Sequence, residues 1–356
     1  MKKLLILWMA VLLSFGARAY DNRFDNMVIF GDSLSDNGNL YRYLWHLLPV
    51  SPPYFEGHFA NGQVWVEYLY DSYFPDGMNQ RGFQDYAVGG AGAVLSYKQN
   101  LPFTLGIELN DYFYWHTYGR QETSLYTLWI GANNYINGPT NVENITDRVV
   151  DAISEGVERL IAHGGNKFII ANLPDLARLP QASNSSHKGL LTELTLTHNR
   201  KLEALIKHLK VKHADCLFIY FDAYTLFNES IDHASDFGFF NTTEPCYLGS
   251  YSGWLAELKS DDETLYESLK QRSPQMTEEQ WQMIRNNPQL REAALAAYWY
   301  SLLPRSVQDE PSYCEGYVFW DQVHPTTAVH KMIAEKVAQL ISETDLQAVL
   351  PDVKAT

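Results

Sequence analysis

From Tyr20 to about Ile219, short apolar runs alternate with amphipathic stretches. "MVIF" (27–30) leads into Gly31, "LYTLW" (125–129) into Gly131, "KFIIANL" (167–173) into Pro174, and "CLFIYFDAY" (216–224) into Thr225. Each run is too short for a helix and ends in turn residues, which is how a buried strand reads. Between them the period changes to that of a helix. In "ITDRVVDAISEGVERLIAHGG", Val149, Ile153, Val157, Leu160 and Ile161 share one face, and Gly164–Gly165 stop the pattern. "LLTELTLTHNRKLEALIKHLK" repeats the arrangement, and a last amphipathic helix in "HPTTAVHKMIAEKVAQLISE" turns Val329, Met332, Ile333, Val337, Leu340 and Ile341 inward. Strand–helix alternation of this kind predicts an α/β fold, a three-layer α/β/α sandwich around a parallel central sheet. Ligands of such sheets bind beyond the carboxyl ends of the strands.

Two segments break the alternation. Residues 247–313 are helical and charged with no strand signal, and read as a helical insertion that could serve as a lid or as peripheral decoration. Residues 1–19 carry Lys2 and Lys3, then an apolar core too short to span a bilayer, then Ala17-Arg18-Ala19. That order is a secretory signal peptide with cleavage before Tyr20. The expected organisation is a signal peptide over 1–19 and one domain over 20–356. Export to a bacterial periplasm or to the extracellular space follows from it.

Composition narrows the choices. The formal charge is −15, and loss of Lys2, Lys3 and Arg18 takes it to −18. So acidic a chain lacks the basic footprint of a nucleic-acid binder and has no general attraction to anionic lipid. Contact with a membrane or micelle would have to come from apolar surface, for which 23 Tyr, 17 Phe and 9 Trp are available. The eleven His form no cluster with metal-ligand spacing, so no metal and no cofactor are expected. Of three cysteines, Cys216 lies in a strand-like run, whereas Cys246 and Cys314 lie in polar turns. In an exported chain Cys246–Cys314 is the favoured disulfide, with the other pairings open.

Candidate chemistry gathers at strand ends. Ser33 follows "MVIFGD", where a fold can hold one hydroxyl rigidly at its surface. A serine nucleophile needs a base and a group to orient that base. Asp321 and His324 in "FWDQVHPT" can supply both, since three residues apart on one turn they can point the same way. Donors for a developing oxyanion could come from the Gly pair in "DYAVGGAGA" and from Asn133 in "WIGANNY".

Taken together, these blocks resemble the GDSL, or SGNH, hydrolase family: "FGDSLSDNGN", "YAVGGAG", "GANN" and "DQVHPT" match its four motifs in order. The resemblance implies Ser33 as nucleophile, His324 as general base and acid, and Asp321 as its orienting carboxylate. It implies an oxyanion hole of the Ser33 and Gly90 amides and the Asn133 side chain. Asn134 departs from the Asp usual in the third block, and Asp32, Asp36 and Asn39 read as turn-forming residues, with Asp32 orienting the serine loop. "NLPDLARLP", "THNRKLEALI" and "FGFFNTTEPCY" look more narrowly like exported bacterial phospholipases A, lysophospholipases and glycerophospholipid–cholesterol acyltransferases. There, a loop between paired cysteines covers the site and can be clipped by a processing protease; Cys246 and Cys314 match those positions. The implied substrate is a lysophospholipid or other lipid at a membrane or micelle surface. Aromatic segments 40–55 and 296–304 would form the acyl trough. A carbohydrate acetylesterase or short-chain esterase on the same scaffold, and an inactive surface-binding scaffold, are the alternative readings.

Overall fold

The computed structural model describes residues 21–44, 46, 48–49, 51–75, 82–95, 103–115, 121–136, 139–183, 185–247, 261–286, 291, 294, 298 and 314–349. The expected signal peptide and most of the segment 287–313 lie outside them. Five strands form the central sheet: β2 (Asn26–Gly31), β3 (Phe83–Asp85), β4 (Ser124–Trp129), β5 (Lys167–Ala171) and β6 (Leu217–Phe221). Their order is β3-β2-β4-β5-β6, and every pairing is parallel. All residues of β2, β4 and β5 are buried, as strands covered on both faces must be. This is the three-layer α/β/α arrangement that the alternating pattern predicts.

The strand order has one reversal. The chain steps outward from β2 to β3, then returns past β2 to begin β4. In open parallel sheets the crevice at such a reversal is where ligands sit, beyond the carboxyl ends of the two strands. Here those ends are Gly31 of β2 and Trp129 of β4, which are register partners. Gly31 has no room for a side chain, because a Cβ there would meet the Trp129 carbonyl oxygen at 2.8 Å.

Helices cover the sheet as the periodicity requires. α3 (Leu105–Trp115), α4 (Val142–Ala162) and α5 (Lys188–Lys212) pack successively on one another, and α2 (Trp65–Tyr73) packs on α9 (Thr327–Ser342). In α4, the Asn141 side chain caps the first turn through Asn144 N–H at 3.1 Å, and Ile145, Val149, Ile153, Val157 and Leu160 are buried. Gly164 then leaves the helix at φ 98°. Cys216 stands just before β6 and is half-buried.

Two smaller pairings tie in the remaining chain. β1 (Arg23–Phe24) pairs with β9 (Gln347–Ala348), and β7 (Asn241–Pro245) pairs with β8 (Tyr317–Phe319). Cys246 and Cys314, directly outside β7 and β8, are joined in a disulfide, as the favoured pairing had it. Beyond it, α7 (Asp262–Arg272) and α8 (Glu278–Asn286) are helices within the segment read as an insertion. Leu265, Leu269, Trp281 and Ile284 of this pair form a second core with Leu40, Leu44, Leu48 and Phe59. Leu40, Leu44 and Leu48 of the stretch after Ser33 are therefore core, whereas its rings Tyr43 and Phe55 are exposed: α1 (Asn39–Tyr43) and the residues behind it hold the insertion.

Candidate active site

Ser33 sits two residues beyond β2, in a turn closed by Ser35 N–H and Asp36 N–H, both donating to the Asp32 carbonyl at 3.0 and 3.1 Å. The Asp32 carboxylate accepts Leu34 N–H at 3.1 Å. Asp36 takes over the next stretch: one carboxyl oxygen accepts Gly38 and Asn39 N–H, and the other accepts Leu40 N–H at 3.2 Å and Gly89 N–H at 2.7 Å. That last bond fastens the serine turn to the glycine pair after β3. Both aspartates shape the turn, as the sequence suggested.

His324 approaches from the far end of the chain. β8 ends at Phe319, and the turn that follows is held by Trp320 N–H donating to the His324 carbonyl at 2.8 Å. Asp321 closes the same turn from inside, accepting Val323 N–H at 2.8 Å and His324 N–H at 2.7 Å on Oδ1. Its side chain also meets His324 Nδ1, at 2.8 Å through Oδ2 and 3.0 Å through Oδ1. The opposite ring nitrogen, Nε2, lies 2.8 Å from Ser33 Oγ. An imidazole so placed carries its proton on Nδ1 and offers the Nε2 lone pair to the hydroxyl. All three side chains are buried.

Burial alone would raise the Asp321 carboxyl, but the adjacent His324 ring, the His324 hydrogen bonds and a hydrogen bond from Tyr54 outweigh it and hold it below its ordinary value. Asp32, without comparable compensation, is pushed by burial up to about 7.

The expected oxyanion donors lie on neighbouring loops. Gly90 has φ 78°, a left-handed conformation suited to glycine. Gly89 N–H is committed to Asp36, whereas neither Ser33 N–H nor Gly90 N–H has an acceptor among the described residues. Asn133, just past β4, donates one amide hydrogen to the Ala91 carbonyl at 2.9 Å, which leaves its second hydrogen available. Asn134 clamps the same loop, accepting Ala93 N–H at 2.8 Å and donating to the Val94 carbonyl at 2.7 Å. An Asp at this position could accept but could not donate, so the departure from the usual motif adds a tie.

A pocket open to solvent adjoins Ser33, Asn133 and His324. Leu34, Ile136, Leu176, Leu179, Phe227 and Val323 give it an apolar wall. This wall comes from the loops after β2, β4, β5 and β8 and from α6 (Ala223–Asp232). No described residue of the stretch 40–55 lines it, and nearly all of the second aromatic segment lies outside the described residues.

Sequence reasoning also missed three supports. Phe59 packs on the His324 ring with centroids 4.9 Å apart, and only a glycine at 89 leaves room for it, since a Cβ there would sit 2.2 Å from the Phe59 ring. Buried Glu108 accepts Gly31 N–H at 3.0 Å beneath the serine turn. Tyr54 O–H donates to Asp321 Oδ2 at 2.7 Å. None has a local motif; the glycine pair was the one visible signal, and it pointed to close approach without naming the partner.

A serine, a histidine and an aspartate linked in series at the strand-order reversal of a parallel α/β sheet define a serine hydrolase acting on carboxylic esters. The chain belongs to the GDSL-like lipase/acylhydrolase family, whose model matches residues 27–337. It is 34% identical to a phosphatidylcholine-sterol acyltransferase of Aeromonas hydrophila over 94% of this chain and 96% of that one. It is 24% identical to the thermolabile hemolysin of Vibrio parahaemolyticus over 89% of this chain, spanning 64% of the hemolysin. The secreted effector protein SseJ of Salmonella typhimurium is likewise 24% identical over 89% of this chain, which covers 63% of its length.

Proposed function

We propose that this protein is an exported enzyme that cleaves acyl esters of phospholipids, lysophospholipids foremost, through an acyl-enzyme on Ser33. The observation that carries the reading is the 2.8 Å contact between Ser33 Oγ and His324 Nε2, backed by Asp321 on the other ring nitrogen. His324 takes the hydroxyl proton as Oγ attacks the ester carbonyl, and Asp321 stabilises the imidazolium that forms. Ser33 N–H, Gly90 N–H and the second Asn133 amide hydrogen would receive the oxyanion. His324 then returns its proton to the leaving alcohol oxygen, and water, activated by the same imidazole, releases the fatty acid. An alcohol entering in place of water gives acyl transfer, the activity named in the Aeromonas relative.

The apolar wall of the pocket supports a lipid acyl chain over an acetyl group, because a hydrocarbon gains roughly 0.8 kcal/mol for each methylene it buries. Export is supported by the basic–apolar–A-x-A order of residues 1–19 and by the disulfide. The insertion is proposed as a cap, since α7 and α8 rest on Leu40, Leu44 and the same Phe59 that touches His324. Cleavage within 247–313 by a processing protease would alter that packing.

The test is purified protein with lysophosphatidylcholine, diacyl lipid and cholesterol, the products identified by mass. Wild-type protein should release long-chain fatty acid, and Ser33→Ala should lower the rate by on the order of 10⁴-fold or more. A rate that peaks on acetyl esters, with no fatty acid released, would replace the lipid reading by the short-chain one. Undiminished hydrolysis by Ser33→Ala would remove the mechanism.

A further inference from the structure

Behind the serine, histidine and aspartate stands a fourth side chain. Tyr54 lies in the segment between α1 and α2, 267 positions from Asp321, and its phenol O–H reaches Asp321 Oδ2 at 2.7 Å in a buried setting. The tyrosine ring is held edge-on against Trp320, with centroids 5.8 Å apart, and against Tyr247, also at 5.8 Å. Trp320 and Tyr247 are themselves stacked at 5.1 Å and 11°, and Tyr247 N–H donates to the Trp320 carbonyl at 2.7 Å. The Cys246–Cys314 disulfide belongs to the same buried cluster. Three aromatic rings and a covalent link thus fix the direction of one hydroxyl.

We infer that Tyr54 is a positioning residue of the reaction: its phenol fixes the Asp321 carboxylate so that Oδ2 faces His324 Nδ1, and keeps that carboxylate anionic while the imidazole is charged. The inference rests on the mechanism proposed above. Asp321 Oδ2 accepts from the phenol and makes the shorter contact to the imidazole, 2.8 Å, whereas Oδ1 is held by two backbone N–H groups and lies 3.0 Å from the same ring nitrogen. Both oxygens are therefore anchored, and the carboxylate cannot rotate away from the ring. A hydrogen bond to a charged acceptor is also stronger than one between neutral groups. Taking away the phenol leaves a carboxylate of higher proton affinity and greater rotational freedom beside the imidazole.

Tyr54→Phe tests this, because it keeps the ring and its packing and deletes one oxygen. With wild-type and variant both assayed on the same soluble ester, kcat should fall roughly tenfold with KM little changed, from the loss of one hydrogen bond to a charged group. The acid limb of the kcat/KM profile, which belongs to the coupled Asp321–His324 pair, should move to higher pH. In an Asp321→Asn background the same change should have almost no further effect on the residual rate, since the carboxylate it acts on is gone. Should Tyr54→Phe leave both kcat and the acid limb in place, or slow both backgrounds equally, the phenol does not act through Asp321 and the inference fails. Wild-type protein that hydrolyses no ester at all would instead refute the functional reading beneath it.

Discussion

Four fully buried carboxyl groups surround the Ser33–His324 contact, and they divide into two kinds. Asp321 stands against an imidazole, two backbone N–H groups and a phenol, and its carboxyl is held below the ordinary value. Asp32, Asp36 and Glu108 lie under the serine turn, with Asp85 partly buried beside them. There burial comes first and raises them all, and they raise one another further: Asp36 acts on Asp32 and Asp85, and all three aspartates act on Glu108. The charge of His324 offsets the shift at Asp32 in part, and His58 interacts with Asp36. Equal burial therefore goes with shifts of opposite sign. The difference lies in what each oxygen faces: the imidazole and the phenol beside Asp321 favour its charged form, whereas burial and neighbouring acids raise the carboxyls under the serine turn. On the proposed mechanism, one region supplies charge to the reaction and the other supplies shape.

The sharpest way to break this division is to neutralise one member of each kind. Asp321→Asn should lower kcat by on the order of 10⁴-fold, because an amide no longer fixes the imidazole tautomer or stabilises its charge. Asp32→Asn is a near copy of the protonated acid and still accepts Leu34 N–H through its side-chain oxygen. At pH 6, below the value of about 7 to which burial raises Asp32, its kcat should change less than about tenfold. Steady-state rates on one ester measure both. Comparable losses would mean that the serine turn also works through charge.

Asp36 sharpens the other half of the comparison, since its task is to hold four N–H groups from Gly38, Asn39, Leu40 and Gly89. Asp36→Ala leaves them all in a buried turn without their acceptor and should lower stability by about 3 kcal/mol or more, read from the urea midpoint. Activity should fall with it, because the bond to Gly89 N–H is what sets the glycine loop against Ser33. A midpoint close to that of wild type would show that the turn holds by itself.

The contrast also marks what the sequence could and could not disclose. Strands β2, β4, β5 and β6 were legible as short apolar runs ending in turn residues, and α4 and α9 as apolar faces at helical spacing, because each depends on neighbours in the chain. Ser33, Asp321 and His324 were legible because each sits in a dense local motif at a strand end. Tyr54, Phe59 and Glu108 act at the same place and were not, because each is an ordinary residue made important by a partner 77 to 267 positions away or by a ring packed across the fold. The described part of the pocket wall was not legible for the same reason. Hydrophobicity marks Leu40, Leu44 and Phe59 as apolar, but not that they face α7 and α8 rather than a substrate, while Leu176 and Leu179 line the cleft.

The smallest effect separates the two kinds through pH. A carboxyl raised on folding contributes stability that is complete below its unfolded value near 4 and is lost as pH rises through its folded value. Asp32, raised to about 7, therefore costs stability across roughly pH 4 to 7, and Glu108, raised well above its ordinary value, acts in the same direction. Asp321, lowered on folding, has the opposite sign: its contribution is present above the unfolded value and fades as pH falls. The urea midpoint should accordingly decline between pH 5 and pH 8. Glu108→Gln removes one titrating proton and keeps an acceptor for Gly31 N–H, so at pH 5 it should cost less than about 1 kcal/mol. At pH 8 it should match or exceed wild type, with a shallower slope between the two. A slope unchanged by the substitution would mean that Glu108 ionises in the fold as it does in water, and the acids under the serine turn would then have to be counted with Asp321 as charged.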